Sequence, residues 1–401
     1  MNMLRDSLNR RDMVAPRDSS RWRAGAIMVV SSLCGLIGGP AQVARVLGDE
    51  GNRNDMEVVT TPFGKQSDGQ EIHLYTCTND NGLVVSLIDY GAIVVRVETP
   101  DRDGKSANIN LGFPSIDGYL GQHPFFGTTV GRYCNRIAKG RFTLEGREYQ
   151  LAVNNGPNHL HGGLRGFDKA IWKAEVIETS NEVGVRFRHR SNDGDEGYPG
   201  TLNVTATYLL TDANELRVEF EARTDRTTVV NLTNHNYWNL AGAGSGTVLD
   251  HALTLSADDY LPVDDTLIPK GVLASVTGTP MDFRETRPIG SRMSELVAEP
   301  PGYDHCFVVR GTPGTLRRAA RVRHAGSGRV LEVETTQPGI QLYTANFLSG
   351  KAADGGFARH AGFCLETQHY PDSPNQPAFP STILRPGETF HETTVHRFRV
   401  E

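Results

Sequence analysis

The chain is poor in the features that mark several common protein classes. Its five cysteines, at positions 34, 77, 134, 306 and 364, form no C-x-x-C pair and no regular spacing. That leaves neither a disulfide framework nor a zinc site. No basic tract interleaved with aromatics occurs, and the net charge is −6, so nucleic acid is not an expected partner. The longest apolar stretch, Ala24 to Ile37, is short and rich in Gly and Ser for a membrane span. Helical periodicity is scarce, Ile289 to Ala298 being the best short candidate. There is no internal repeat or low-complexity tract.

What is present divides at about residue 55. Six arginines precede Gly25, an uncharged stretch follows from Ala24 to Ala44, and Pro40-Ala-Gln-Val-Ala44 supplies small residues near its end. A basic region, an apolar region and a small-residue site form the pattern of a secretory signal. The expectation is export to the periplasm or medium, with cleavage between about 40 and 45. The alternative is an uncleaved N-terminal anchor, the one expected contact with a membrane. Residues 1–55 are therefore read as targeting segment and linker, and 56–401 as one domain.

From Met56 onward, short apolar runs alternate with Gly, Pro, Asn and Asp; the whole chain holds 43 glycines and 21 prolines. Leu202, Val204, Ala206 and Tyr208 alternate with polar residues, as do Leu216, Val218, Phe220 and Ala222. That period of two marks antiparallel strands buried on one face. Arg141 to Val153 predicts a hairpin turning at Glu145-Gly146. The fold class predicted is all-β: one large antiparallel β-sandwich, curved enough to leave an open cleft.

Two stretches carry the chemistry. Phe363-Cys-Leu-Glu366 predicts a buried strand ending on a carboxylate. Thr228 to Leu232 predicts a second strand, leading into Thr233-Asn-His235-Asn-Tyr-Trp238. A carboxylate and an imidazole at strand ends, flanked by amides and aromatics, are the parts of an acid–base site for a sugar. Further clusters hold Asn135 and Arg136, His159 and His161, Asp304 beside His305, and Gln341. The His-x-His pair at 159 and 161 suits a metal, but no third and fourth ligand follow at a matching spacing, so none is expected. Trp238 and Phe347 suit either a core or the apolar face of a sugar ring.

Five blocks, Asn135-Arg-Ile-Ala-Lys-Gly140, Asn158-His-Leu-His-Gly-Gly163, Thr233-Asn-His-Asn-Tyr-Trp-Asn-Leu240, Tyr303-Asp-His305 and Leu365-Glu-Thr-Gln-His-Tyr-Pro-Asp372, resemble the signature blocks of aldose 1-epimerases, the galactose mutarotases. They stand in that family's order, and the likeness runs from about residue 56 to the C-terminus. The resemblance implies a mutarotase-type β-sandwich, a small aldose as partner and a reaction without a cofactor. It also implies Glu366 as catalytic base, His235 as catalytic acid and His161 as a second active-site histidine. Asn135, Arg136, Asp304 and Gln341 match substrate-binding positions, whereas His159 has no counterpart. The expected electrostatic consequence is that Glu366 raises the pKa of His235. A hexose 6-phosphate epimerase and a non-catalytic carbohydrate-binding protein are the alternatives. A retaining glycosidase would need Asp304 to partner Glu366. Preferred sugar and oligomeric state leave no mark in the sequence.

Overall fold

A computed structural model describes residues 56–297 and 299–401. The expected targeting segment, residues 1–55, lies outside the described residues. Three antiparallel sheets organise the rest. The largest has nine strands and is centred on Leu202–Thr211, Glu215–Thr224 and Phe390–Val400. Leu202 pairs with Thr224 and Ala206 with Phe220, so the two alternating runs lie side by side in register. Their apolar side chains are buried, and the polar ones between them are partly or fully exposed except Thr207, which is buried. Arg397 with Glu215 and Arg217 with Glu182 pair across strands among those outward side chains.

A second sheet of five strands supplies the functional face. Its order runs from Ala274–Ser275 through Ala257–Tyr260, Asp304–Val309 and Gly339–Tyr343 to Cys364–Gln368. Side chains alternate across a sheet, so register sorts them into two sets. Phe307, Ile340, Leu342 and Leu365 join Phe187, Tyr208 and Phe220 of the large sheet in the main core. Asp304, Gln341, Tyr343, Cys364 and Glu366 fall on the opposite face. An N-terminal sheet of five strands, Glu57–Lys65 to Ser106–Asn108, contributes to this core and to a second apolar cluster.

The hairpin forms as expected, Arg141–Leu144 pairing with Arg147–Gln150. Glu145 and Gly146 both take positive φ, 51° and 78°, which matches the twist of the flanking strands. Three expectations need correction. Ile289–Glu295 is a 3₁₀ run broken at Arg292 rather than an α-helix. Thr228 to Leu232 is not one strand: Thr228–Val229 pairs with Ile383–Leu384, Asn231 makes an isolated bridge to Tyr133, and Thr233–Asn234 pairs separately with Thr129–Val130. Glu366 lies mid-strand instead of at a strand end, directly opposite Gln341. Its carboxylate leaves the sheet face rather than the sheet edge.

Candidate active site

The functional face opens into a cleft of about 760 Å³, and all seven residues singled out in the sequence reach it or its floor. Asn135, Arg136, His161, His235, Asp304 and Glu366 line it, together with Phe125, Lys169, Tyr237, Tyr343 and Phe347. Gln341 sits beneath, its Nε2 donating to Asp304 Oδ1 at 2.6 Å. Arg136 Nη2 approaches the other Asp304 oxygen at 3.7 Å. Asp304 is thereby oriented from two sides.

Each histidine is positioned by backbone pairing. His235 follows the two-residue strand Thr233–Asn234; its N–H donates to Thr128 O and its carbonyl accepts from Gly127 N–H, both at 2.9 Å. His161 lies just beyond the strand His159–Leu160, which pairs with Arg136–Ile137, so two of the sequence blocks form one local ribbon. His161 N–H donates to Asn135 O, and Asn135 N–H donates back to His161 Nδ1 at 3.2 Å. That acceptor role puts the His161 proton on Nε2. Phe125, Asn135 and His161 all adopt left-handed backbone, with φ of 64°, 58° and 50°. Non-glycine residues held there cost about 1–3 kcal/mol each and cluster at functional sites. Gly162 makes the turn after His161 possible, since a Cβ there would lie 1.8 Å from Gly131 O.

At the centre, His235 Nε2 stands 3.5 Å from Glu366 Oε2. Both side chains are almost wholly buried, and Glu366 Oε2 has no hydrogen-bond partner among the described residues. Burial pushes the Glu366 carboxyl well above its usual range, Asp304 adds to the rise, and Arg136 opposes it. Burial pulls His235 down to about 4 against a smaller opposing contribution from its own backbone. His161 is lowered further by burial and by the neighbouring His235 and Arg136. The expected rise in the His235 pKa is therefore not found, because desolvation of the ring outweighs the one opposing contribution, from its own backbone.

His161, His235 and Glu366 offer ligand atoms within 4.8 Å of one another, a grouping the sequence did not suggest. The His161 tautomer works against a cation, since its Nδ1 is engaged and its Nε2 carries the proton. His159, the other half of the His-x-His pair, turns away: its Nδ1 meets Ala152 O at 2.7 Å and its Nε2 meets Tyr198 Oη at 2.6 Å.

Two aromatic residues escaped sequence reasoning. Tyr237 lies nearly parallel to the His235 ring at 5.0 Å between centroids, and Phe125 nearly parallel to it at 6.1 Å. Phe125 also touches His161, its ring centroid 4.7 Å away. Tyr237 was within reach, being two positions beyond His235 on an extended segment; Phe125 lies far off in sequence and carried no mark. Of the two aromatics that were considered, Trp238 is fully buried against His396 and Phe398, whereas Phe347 is 58% exposed at the cleft rim.

An open cleft with a desolvated carboxylate–imidazole pair, on the face of an antiparallel sandwich, defines a β-sandwich enzyme of acid–base chemistry. The profile of a family described as Aldose 1-epimerase matches residues 73–397. The chain is 51% identical over 321 residues to galactose mutarotase of Bos taurus, covering 79% of this chain and 92% of that one. It is 40% identical over 343 residues to aldose 1-epimerase of Escherichia coli (strain K12), covering 83% and 97%. The crystal structure of galactose 1-epimerase from Lactobacillus acidophilus NCFM superposes with a TM-score of 0.76 at 30% identity, over 86% of this chain and 99% of that one. The chain belongs to the aldose 1-epimerase family. It is an isomerase that interconverts the anomers of aldoses.

Proposed function

We propose that the substrates are free aldohexoses such as glucose and galactose, with Glu366 as base and His235 as acid. The observation that carries this reading is the 3.5 Å approach of His235 Nε2 to a buried, unpartnered Glu366 oxygen. Ring opening moves the C1 hydroxyl proton to Glu366 while the C1–O5 bond breaks. O5 keeps the bond's electron pair and takes a proton from His235 Nε2. Rotation about C1–C2 and the reverse transfers then close the ring on its other face. The pair holds one proton before opening and one after it.

The two pKa displacements leave the pair's single proton on Glu366 at rest and make both groups more reactive once that proton has moved to His235 Nε2. A raised carboxyl pKa makes Glu366 a stronger base, and a lowered imidazolium pKa makes His235 a stronger acid. The pair titrates as a unit, so its one-proton form spans the interval between a low and a high apparent value. Arg136, Asp304, Asn135 and Gln341 would fix the ring hydroxyls, directly or through one another. His161 would hold an oxygen at C1 or O5 through Nε2–H.

The charges around the cleft favour an uncharged sugar over a hexose 6-phosphate. Arg136 and Lys169 face Asp265, Asp304, Asp354 and Glu366. Lys169 is already paired with Asp168 at 2.8 Å. Burial holds His123 near 3, so it adds no positive charge at neutral pH. Polarimetry on freshly dissolved α-D-glucose, α-D-galactose and α-D-glucose 6-phosphate tests the reading. Acceleration of the two free sugars, with none for the phosphate, is the expected result; acceleration of the phosphate alone overturns it.

A further inference from the structure

His161 belongs to a segment that inserts no side chain from 161 to 165 into the apolar core. His161, Gly162 and Gly163 all take positive φ, 50°, 86° and 108°, and Leu164 is 61% exposed. The segment stands between two hollows. His161, Gly163 and Leu164 line the cleft, whereas Gly162 and Arg165 line a second cavity of about 310 Å³. A strained backbone without apolar packing on either side depends on polar tethers. Asn154 supplies one set: its Oδ1 accepts Leu160 N–H at 2.8 Å, and its Nδ2 donates to Leu160 O and Gly163 O at 3.0 Å each.

The other set comes from the turn Asp195–Gly197 and the residue after it, Tyr198. Glu196 Oε2 accepts Leu164 N–H at 2.9 Å, and its Oε1 accepts Arg165 N–H at 3.0 Å. A Cβ on Gly163 would lie 2.1 Å from Glu196 Oε2, so the carboxylate packs on bare backbone there. Tyr198 Oη lies 2.6 Å from His159 Nε2. The other nitrogen, Nδ1, faces the Ala152 carbonyl, which can only accept, so Nε2 takes the Tyr198 O–H. The turn is itself braced, Asp195 Oδ2 accepting from Ser191 Oγ and Asn192 N–H. It therefore grips the segment on both sides of His161. We propose that Glu196 is a positioning residue for the epimerase reaction: with Tyr198 it holds the segment from outside the cleft, so that His161 keeps Nε2–H at the reacting end of the sugar. This rests on the part given to His161 in the proposed function.

Amide hydrogen exchange of the full chain, read by NMR, tests the grip apart from activity. In wild type the Leu164 and Arg165 N–H groups should exchange at least about tenfold more slowly than in the unfolded chain, and Glu196→Ala should abolish that protection. Glu196→Ala should also lower kcat/KM about tenfold, the scale of one hydrogen bond to a charged group. In a chain already carrying His161→Ala, the same change should cost less than about twofold, because the residue it positions is gone. A further tenfold loss in that double variant overturns the proposal, since Glu196 would then act on the fold at large. Unprotected Leu164 and Arg165 amides in wild type overturn it equally, even if the alanine variant fails to fold. Full activity in His161→Ala would remove His161 from the proposed function and overturn the positioning role, while protected amides would still establish the grip.

Discussion

His235 Nε2 and Glu366 Oε2 approach to 3.5 Å in a pocket where both are almost excluded from solvent, and the carboxylate oxygen has no other partner among the described residues. An orphaned buried oxygen costs about 1–3 kcal/mol or more, so the arrangement lowers stability. Two flanking charges act on it in opposite directions, Asp304 raising the Glu366 pKa and Arg136 lowering it.

Those two charges give a prediction of opposite sign. The alkaline limb of kcat/KM reports loss of the last proton shared by Glu366 and His235. Asp304→Asn removes the group that raises Glu366 and should move that limb to lower pH. Arg136→Gln removes the group that lowers it and should move the limb to higher pH. Both should also raise KM, by about tenfold to a hundredfold for a charged hydrogen-bond partner. Initial rates from pH 4 to 10 check the pair, and a shift of the same sign in both would refute the assignment.

The two aromatics left ambiguous by sequence should separate cleanly. Trp238 is fully buried in the main core, so Trp238→Ala should cost about 3–5 kcal/mol of stability, read by urea unfolding. Phe347 is exposed and stacked on Tyr343 at the cleft rim, so Phe347→Ala should leave the unfolding midpoint nearly unchanged and raise KM severalfold.

Five buried histidines predict early acid destabilisation. Burial lowers His159, His235, His251 and His396 to about 4 and His123 to about 3. Their folded values lie below the unfolded value near 6.5, so the unfolded chain binds more protons as pH falls. The histidine contribution should be full above pH 6.5 and decline from there toward pH 4, each histidine contributing up to about 1.4 kcal/mol per pH unit. Thermal melts across that range test the slope. A midpoint constant down to pH 5 would contradict it.

Much of this was legible in the chain because strands write their burial in a period of two. The strands Leu202–Thr211 and Glu215–Thr224 and the turn at Glu145-Gly146 follow from alternation and turn chemistry alone. The seven residues proposed for the site were legible for another reason: six of them stand in blocks that resemble a family, and Gln341 matches that family outside the blocks. What stayed hidden depends on contacts distant in sequence. Phe125 reaches His235 and His161 across the fold, and Cys364 gave no hint of touching an imidazole 129 positions away. The pKa of His235 was expected to rise because charge attraction can be read from neighbouring residue types. Burial, which depends on the whole surrounding shell, decided the sign.

The most direct test of the acid–base pair compares wild type, Glu366→Gln and His235→Asn by NMR exchange between the α and β anomers of glucose at equilibrium, with a thermal melt of each. Each loss of a proton transfer should lower kcat about 10²–10⁴-fold while KM changes far less. Because the folded Glu366 pKa lies above its unfolded value, the Glu366 contribution to stability falls as pH rises past about 4.5, opposite in sign to that of the histidines. Glu366→Gln should therefore melt higher than wild type at pH 7, and that advantage should vanish near pH 4. Near-normal exchange in either folded variant would contradict the assignment of Glu366 as base and His235 as acid.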